Sequence, residues 1–568
     1  MTAPHLRGMS LIDVVVGIAL MLVLFLALFG VLRTSLTLST QAKAEAAAVE
    51  LANTQMEYLR GLSYDALGTL GGIPAGLIPQ MATTTVDGMS YGVRTFIENY
   101  DDPVDSLGVS GTDGNTTDYK IGKVTVTYSI GGLSKSVSLI SNFAPPGIET
   151  NLGGGTLAIH VVNTVGADVS DASVQIVNTS LSPTVDFTTF TNTSGLAVIG
   201  GAATSSSYQV YVSKPGYSSA QTYARTSQNV NPTPGFLTVV TSQTTTATFA
   251  IDLLASLTLS TYSPATTTAF VDSFADTSNL AGEKNTQVSG GALTLSNGAL
   301  SGSAQSVAIS PSYLDGWDIL SATSSTPSGT DVAVQVLDAS GTPLPDTVLA
   351  GNSSGFTSFP ISLVGISTST YPTLALEATL TSNSASTTPS LLGWSLSHTQ
   401  GPEPLPNAPF TLTGTKTIGT SASTSPIYKT VLTDTTNSSG SKTESLEWDA
   451  YTLSNTNMPV IESCPNGPYQ LQPSEATSTT LLLGVATTNT LLVAVQGEAG
   501  SPIGNAKVVL ATPGYAASVP TSTCGLAYFE GLAAGTYAVT VSASGYTTTT
   551  LSAVAVSGHT ATTTITLP

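Results

Sequence analysis

Nineteen consecutive residues, Val14 to Leu32, carry no charge. A helix needs roughly 20 such residues to cross the hydrocarbon core of a bilayer, so the first element of the chain is of transmembrane length. His5 and Arg7 precede it, which under the positive-inside rule places the N-terminus on the cytoplasmic side. An acid, Asp13, stands at the mouth of the run. In lipid a carboxylate costs ~2.5 kcal/mol or more at the bilayer centre and less at its edge, so its presence calls for a reason.

A secretory signal has a shorter apolar region, about 7 to 15 residues, followed by a small-residue cleavage site. A plain single-pass anchor has the right length but gives the acid no role. The string Gly8, Met9, Ser10, Leu11, Ile12, Asp13, Val14 resembles the type IV prepilin signature, a short basic leader ending in Gly with an acid fifth in the mature chain. The resemblance implies that prepilin peptidase cuts between Gly8 and Met9, that Met9 becomes N-methylated, and that the helix is retained. It also implies an assembly ion pair, in which Asp13 accepts the ammonium of the processed Met9 of a neighbouring subunit. An orphaned buried charge costs several kcal/mol, so such a pair acts as a register check. The family usually has Glu and Phe where this chain has Asp13 and Met9. The shorter acid favours a minor pilin or pseudopilin over a repeating shaft subunit.

No Pro interrupts Met9 to Arg60, and the stretch STQAKAEAAAVELANTQMEYLRGL is rich in good helix formers. Arg60 followed by Gly61 reads as a stop. About fifty residues at 1.5 Å each give a rod of roughly 80 Å. After a Gly/Pro-rich loop, SYGVRTFIENYDDPVD and TDYKIGKVTVTYSIGGLSKSVSLISNF alternate apolar and polar residues, as half-buried strands do. They predict a small antiparallel sheet against the helix. The acidic residues Asp101, Asp102, Asp105, Asp113 and Asp118 offer oxygen ligands for calcium, but they lack EF-hand spacing and a solvated turn explains them better.

PPGIETNLGGG, from Pro145, reads as a linker. Beyond it the chain repeats itself. TLAIHVVNTVGADVSDASVQIVN from Thr156 recurs as TLLVAVQGEAGSPIGNAKVVLAT from Thr490, and TSGLAVIGGAATSSSYQVYVSKPGY from Thr193 recurs as TCGLAYFEGLAAGTYAVTVSASGY from Thr523. Gly195 and Gly525 suit turns with positive φ, and Tyr208 and Tyr537 open strands whose alternate residues fill a core. The arrangement resembles carboxypeptidase regulatory-like modules, small β-sandwiches that imply a spacer role without catalysis. A weaker copy runs from Phe410, with a turn at Gly440 and a Trp448/Tyr451 strand. Lys507 lies in a second strand with no Asn in the final one, which argues against a Lys to Asn cross-link. Between the first and second copies, Phe270 to His398 loosely resembles bacterial jelly-roll sandwiches. There Trp317, Trp394 and Asp318 either form a carbohydrate face or, as strand tryptophans more often do, pack in the core. Cys464 and Cys524 either pair, as an oxidising compartment favours, or remain thiols.

With 568 residues, domains of roughly 100 to 150 residues give four or five. Only 9% of residues are charged and the net charge is -20, with 15 Lys plus Arg, so binding of nucleic acid, which needs clustered cations, is not expected. No metal-ligand spacing or nucleophile motif is present, and neither an enzyme, a cofactor nor a metal site is expected. The expected fold is an α+β N-terminal pilin-like unit, with a long transmembrane helix and a small antiparallel sheet, followed by mainly-β tandem sandwiches. Its parts are a leader at 1–8, a helix at 9–61 with its membrane half at 14–32, and a β head at 62–146. Regulatory-like sandwiches at 147–255, 403–480 and 481–568 and a jelly-roll sandwich at 256–402 complete it. The expected function is a minor type IV pilin-like subunit serving surface adhesion, whose partners are other pilin subunits, prepilin peptidase, the cytoplasmic membrane and a surface carbohydrate or protein ligand. The alternatives are a pseudopilin of a type II secretion or DNA-uptake machine and a membrane-anchored surface binding protein that does not polymerise. A membrane-anchored glycosidase would need two carboxylates about 5 to 9 Å apart, and no pattern unites such a pair.

Overall fold

The computed structural model describes residues 11–100, 117–146, 153–455, 460–484, 488–558 and 561–568. They form two compact units, one of residues 1–254 with 417–427 and one of 255–416 with 428–568.

In the first unit a single helix runs Leu11–Arg60. At 1.5 Å per residue it is about 75 Å long, and it ends where Gly61 N–H bonds to the Glu57 carbonyl at 3.0 Å. Its C-terminal half presents Ala44, Ala48, Ala52, Met56 and Leu59 as one buried stripe, spaced so that they share one helix face. The alanines let the helix backbone lie close to the sheet. That sheet is the antiparallel meander Met81–Val86, Met89–Tyr100, Tyr119–Ile130 and Leu133–Phe143. Tyr91, Val93, Ile97, Val124 and Val126 close the core against the stripe. Lys120 is buried beneath the helix exit, where its ammonium donates to the carbonyls of Tyr64 at 2.8 Å and Leu67 at 2.9 Å.

The same unit holds the first sandwich. Gly155–Val162 lies between Thr244–Ala250, parallel to it, and Leu196–Ala202, antiparallel. The facing sheet carries Val185–Phe190, Ser173–Asn178, Ser205–Ser213 and Ala220–Gln221 in that order. Leu157, Ile159, Val174, Ile176, Val210 and Val212 alternate inward along these strands and form the core. The meander is bonded to this sandwich: Asn99 Nδ2 donates to the Gly200 carbonyl at 3.1 Å, Gln80 Nε2 to the Asp186 carbonyl at 2.8 Å, and Arg94 to the Thr188 carbonyl. Residues 417–427 also belong to this unit, through pairing of Thr417–Thr420 with Asn231–Pro232.

In the second unit the last sandwich repeats the topology of the first. Leu491–Gly497 lies between Ala561–Leu567, parallel, and Leu526–Phe529, antiparallel. The other sheet runs Tyr515–Pro520, Lys507–Thr512, Gly535–Ser542, Thr549–Val556. The middle copy has the same plan, but its first strand is Ala255–Ser263, which runs parallel to Ala476–Leu483 and antiparallel to Ser441–Leu446. Its second strand, Pro409–Gly414, comes only after a complete two-sheet domain. The expected jelly-roll boundaries at 256 and 402 and the expected copy at 403–480 therefore differ from the strand pairing. Alternation marks Ala255–Ser263 as a strand and does not name its partners Ser441–Leu446 and Ala476–Leu483, which lie far along the chain beyond the inserted domain. The inserted domain packs a sheet containing Leu314–Ser325 and Ser390–Gln400 on a sheet containing Thr330–Leu337 and Ala375–Ser382, all antiparallel.

Candidate functional site

Among the described residues, the N-terminal half of the helix buries no side chain. From Leu11 to Leu38 the described large apolar side chains are more than half exposed, among them Phe25 at 61% and Phe29 at 71%. A helix that is apolar on every side requires a non-aqueous surrounding, and apolar surface of this extent marks a membrane or protein contact. Among the described residues this is the one helix long and apolar enough to cross a membrane. Just beyond the uncharged run, Thr34, Thr37 and Thr40 donate their hydroxyls to the carbonyls four residues back, each at 2.9 Å, so that these hydroxyls are satisfied within the helix itself. Asp13 is the third residue of the helix. Gly8 and Met9 lie outside the described residues.

Of the acidic loop residues, Asp101, Asp102, Asp105 and Asp113 lie outside the described residues, and Asp118 is buried. Among the described residues no group of three or more His, Cys, Asp or Glu is placed to hold a metal ion.

The tryptophans do not form a surface. Trp317 is 0% and Trp394 2% exposed, both in the core of the inserted domain. Trp317 Nε1 donates to the Tyr371 carbonyl at 2.8 Å, and Trp394 packs on Phe274 with ring centres 5.5 Å apart. Of the two alternatives for these tryptophans, core packing is the one observed, and the carbohydrate face is corrected because neither indole is exposed to stack on a sugar. Asp318 is also fully buried. It lies on the strand face opposite Trp317, beside Thr399, where Ser518 and Lys507 of the last sandwich cover it.

Asp318 instead belongs to an acidic cluster. Its Oδ2 accepts from Thr399 Oγ1 at 2.9 Å. Burial pushes its carboxyl up to about 7, with the charge of Asp315 adding to the rise. Asp315 is itself pushed up to about 7 by burial, against the opposing charge of Lys507. Lys507 comes from the last sandwich and donates to the Val364 carbonyl at 2.5 Å. Burial lowers its pKa, while both aspartates oppose that. Asp315, Ser518 and Lys507 line a cavity of about 240 Å³.

Cys464 and Cys524 are bonded to each other across 60 residues, joining the strand Val460–Cys464 of the middle sandwich to a turn of the last one. Beside the disulfide lies an apolar cavity of about 280 Å³, walled by Tyr262, Leu482, Val519 and Tyr528 among others. Glu462 also lines it and is 8% exposed. The spacing of the cysteines gave no sign of this cavity, since its walls come from segments far apart in the chain.

Residues 490–568 match the carboxypeptidase regulatory-like domain family, which covers the last sandwich. Among curated proteins none matches the chain. Solved structures that align with it include the Bacillus anthracis TIE protein, at 11% identity over 86% of this chain and 73% of that one, with a TM-score of 0.15. BcpA, the major pilin subunit of Bacillus cereus, aligns at 9% identity over 73% of this chain and 99% of its own, with a TM-score of 0.13. GBS52, a minor pilin of Streptococcus agalactiae, aligns at 17% identity over 29% of this chain and 84% of its own, with a TM-score of 0.12. Scores this low carry no argument about the present chain.

Proposed function

We propose that this chain is a minor type IV pilin-like subunit. It is held in the cytoplasmic membrane by its N-terminal helix, loses Met1 to Gly8, and joins a pilus or pseudopilus through the same helix, with its β-rich body on the cell surface. The observation that carries the reading is the division of labour along one unbroken helix, Leu11–Arg60: an N-terminal half whose described side chains are exposed and a C-terminal half built into the core of the meander. Cleavage of a secretory type among Ala42 to Ala48 would cut into the buried stripe at Ala44 and Ala48, whereas cleavage after Gly8 leaves it whole. Asp13 would then stand where a neighbouring subunit's new amino terminus can neutralise it, which gives the acid at the membrane entrance a role. The body is a binding and spacing structure, not an enzyme. Adhesion through it is an inference from architecture.

Mass spectrometry of the mature protein tests the reading. A peptide beginning at N-methylated Met9 is expected. An intact Met1, or a start between Ala42 and Ala48, would overturn it and leave a membrane-anchored or secreted surface protein. The variant Asp13→Ala is expected to insert in the membrane normally and to lose most of its incorporation into sheared filaments.

A further inference from the structure

The cavity beside the disulfide is assembled from three parts of the second unit. Ala265 and Pro402 come from the two chain crossings into the inserted domain, Glu462, Cys464, Thr480 and Leu482 from the middle sandwich, and the segment from Val519 to Thr523 from the last one. Its walls are mainly apolar, and none of its lining residues is Lys, Arg or His. Glu462 is the single ionisable carboxyl there. More than nine-tenths buried, it accepts a hydrogen bond from Ser522 Oγ through Oε1. A carboxylate in such a place is costly unless a charge partner accompanies it, and no cationic side chain reaches it within 4 Å in the described structure.

We propose that this cavity is a binding site for a small organic ammonium ion with an apolar body, its cationic head on Glu462 and its hydrocarbon part against Tyr262, Leu482, Val519 and Tyr528. Each feature of the cavity selects for that chemistry. The volume of about 280 Å³ is just below that of drug-sized ligand pockets, roughly 300 to 1,000 Å³, which suits a fragment-sized molecule. The lone carboxyl favours a cation over an anion, and the apolar wall favours a hydrocarbon-bearing amine over a hydrated metal ion. A net charge of -20 concentrates cations around the protein and depletes anions. Tyrosine rings add attraction for an ammonium where they present a face to it. Burial raises the Glu462 pKa, and an ammonium seated on the carboxyl would reverse that penalty. The site does not depend on how the N-terminus is processed, so this proposal and the pilin reading stand or fall separately.

The test uses the full chain in nanodiscs and follows the fluorine NMR signal of three probes, 4-fluorobenzylammonium, 4-fluorobenzyl alcohol and 4-fluorophenylacetate. The ammonium is expected to bind saturably, with a Kd of about 1 mM or tighter, and the alcohol and the carboxylate at least tenfold more weakly. Glu462→Gln should remove the preference for the ammonium at least tenfold while leaving the alcohol unchanged, which also corrects for partition into lipid. Leu482→Trp, which fills the cavity from its apolar side, should abolish saturable binding of all three. Equal binding of alcohol and ammonium, an undiminished preference in Glu462→Gln, or saturable ammonium binding that survives in Leu482→Trp would each overturn the proposal. So would the absence of saturable ammonium binding up to several millimolar in the unmodified chain.

Discussion

At the scale of single residues, ionisable groups are few, and several of those present are buried. Asp315 and Asp318 are each pushed up to about 7, so in the folded chain they hold protons at a pH where the unfolded chain has released them. Folding thus takes up protons between about pH 4 and pH 7, and this contribution weakens stability as pH rises through that window. His398 acts in the opposite sense, because burial lowers its pKa and the unfolded chain binds its proton first. Comparison with Asp318→Asn isolates the carboxyl, since Asn keeps an oxygen to accept from Thr399 and mimics the protonated acid. Relative to the unmodified chain, the variant should gain stability at pH 8 over pH 5 on the order of 1 to 2 kcal/mol. All three tryptophans, Trp317, Trp394 and Trp448, lie in the second unit, so denaturant unfolding followed by tryptophan emission reads this unit alone. An identical change at the two pH values would refute the assignment. The reading of Trp317 and Asp318 as one face shows what alternation can and cannot reveal. Neighbours in a strand point to opposite sides, and both are buried here because Trp317 enters the core of the inserted domain while Asp318, on the other face, is covered by Ser518 and Lys507 of the last sandwich.

At the scale of elements, three residues recur in all three sandwiches of this topology and explain why divergent sequences reach it. A threonine, Thr191, Thr436 or Thr521, accepts from the backbone N–H of Ala172, Ala408 or Ala506 at 2.9 to 3.0 Å. A glycine, Gly195, Gly440 or Gly525, has φ between 67° and 76° and lies against the first strand. A Cβ there would come within 2.5 to 2.7 Å of the carbonyl of Val161, Thr261 or Val495. A tyrosine, Tyr208, Tyr451 or Tyr537, donates to the carbonyl of Ala203, Glu447 or Ala533 at 2.8 to 3.0 Å. The glycines and tyrosines were legible in the sequence because each follows a fixed turn. The threonine contacts were not, because the partner amide stands just ahead of a strand, at a separation that varies between the copies. In the turn ahead of each glycine the first two copies have Ser194 and Ser439 where the last has Cys524, so the disulfide is built on a position the fold already supplies. Closing a 60-residue separation is worth about 4 kcal/mol by loop-closure arithmetic. The double variant Cys464→Ser with Cys524→Ser, or reduction of the unmodified chain, should lower the denaturant midpoint of the tryptophan-reported transition accordingly. Hydrogen exchange should find Val460–Cys464 losing protection first. An unchanged midpoint on reduction would show that the bond constrains nothing.

At the scale of the whole molecule, the consequential feature is the insertion of one domain into another. Tyr262 pairs with Pro404 and Ser263 with Glu403, so the chain leaves and re-enters the middle sandwich at directly opposed residues. Within the inserted domain, Thr266–Asp272 pairs with Ser390–Gln400, so its own ends are likewise adjacent. Contiguous segmentation could not see this arrangement. A copy lacking its first strand looks degenerate, and a domain with one strand too many looks merely large. The geometry predicts that the two folds separate cleanly. Replacing residues 264–402 by Asn-Gly would join Ser263 to Glu403 through a two-residue hairpin turn of the kind that suits the twist of paired strands. The shortened chain should keep the parallel pairing of Ala255–Ser263 with Ala476–Leu483 and still form the Cys464–Cys524 bond, detectable by hydrogen exchange and by peptide mapping without reductant. It should lose some stability in the last sandwich, because Ala265 packs in that core and Lys507 donates to Val364 of the inserted domain. If Ala255–Ser263 instead exchanges freely and the cysteines are recovered reduced, the inserted domain is required to hold the first strand in place, and the middle sandwich is not an independent fold.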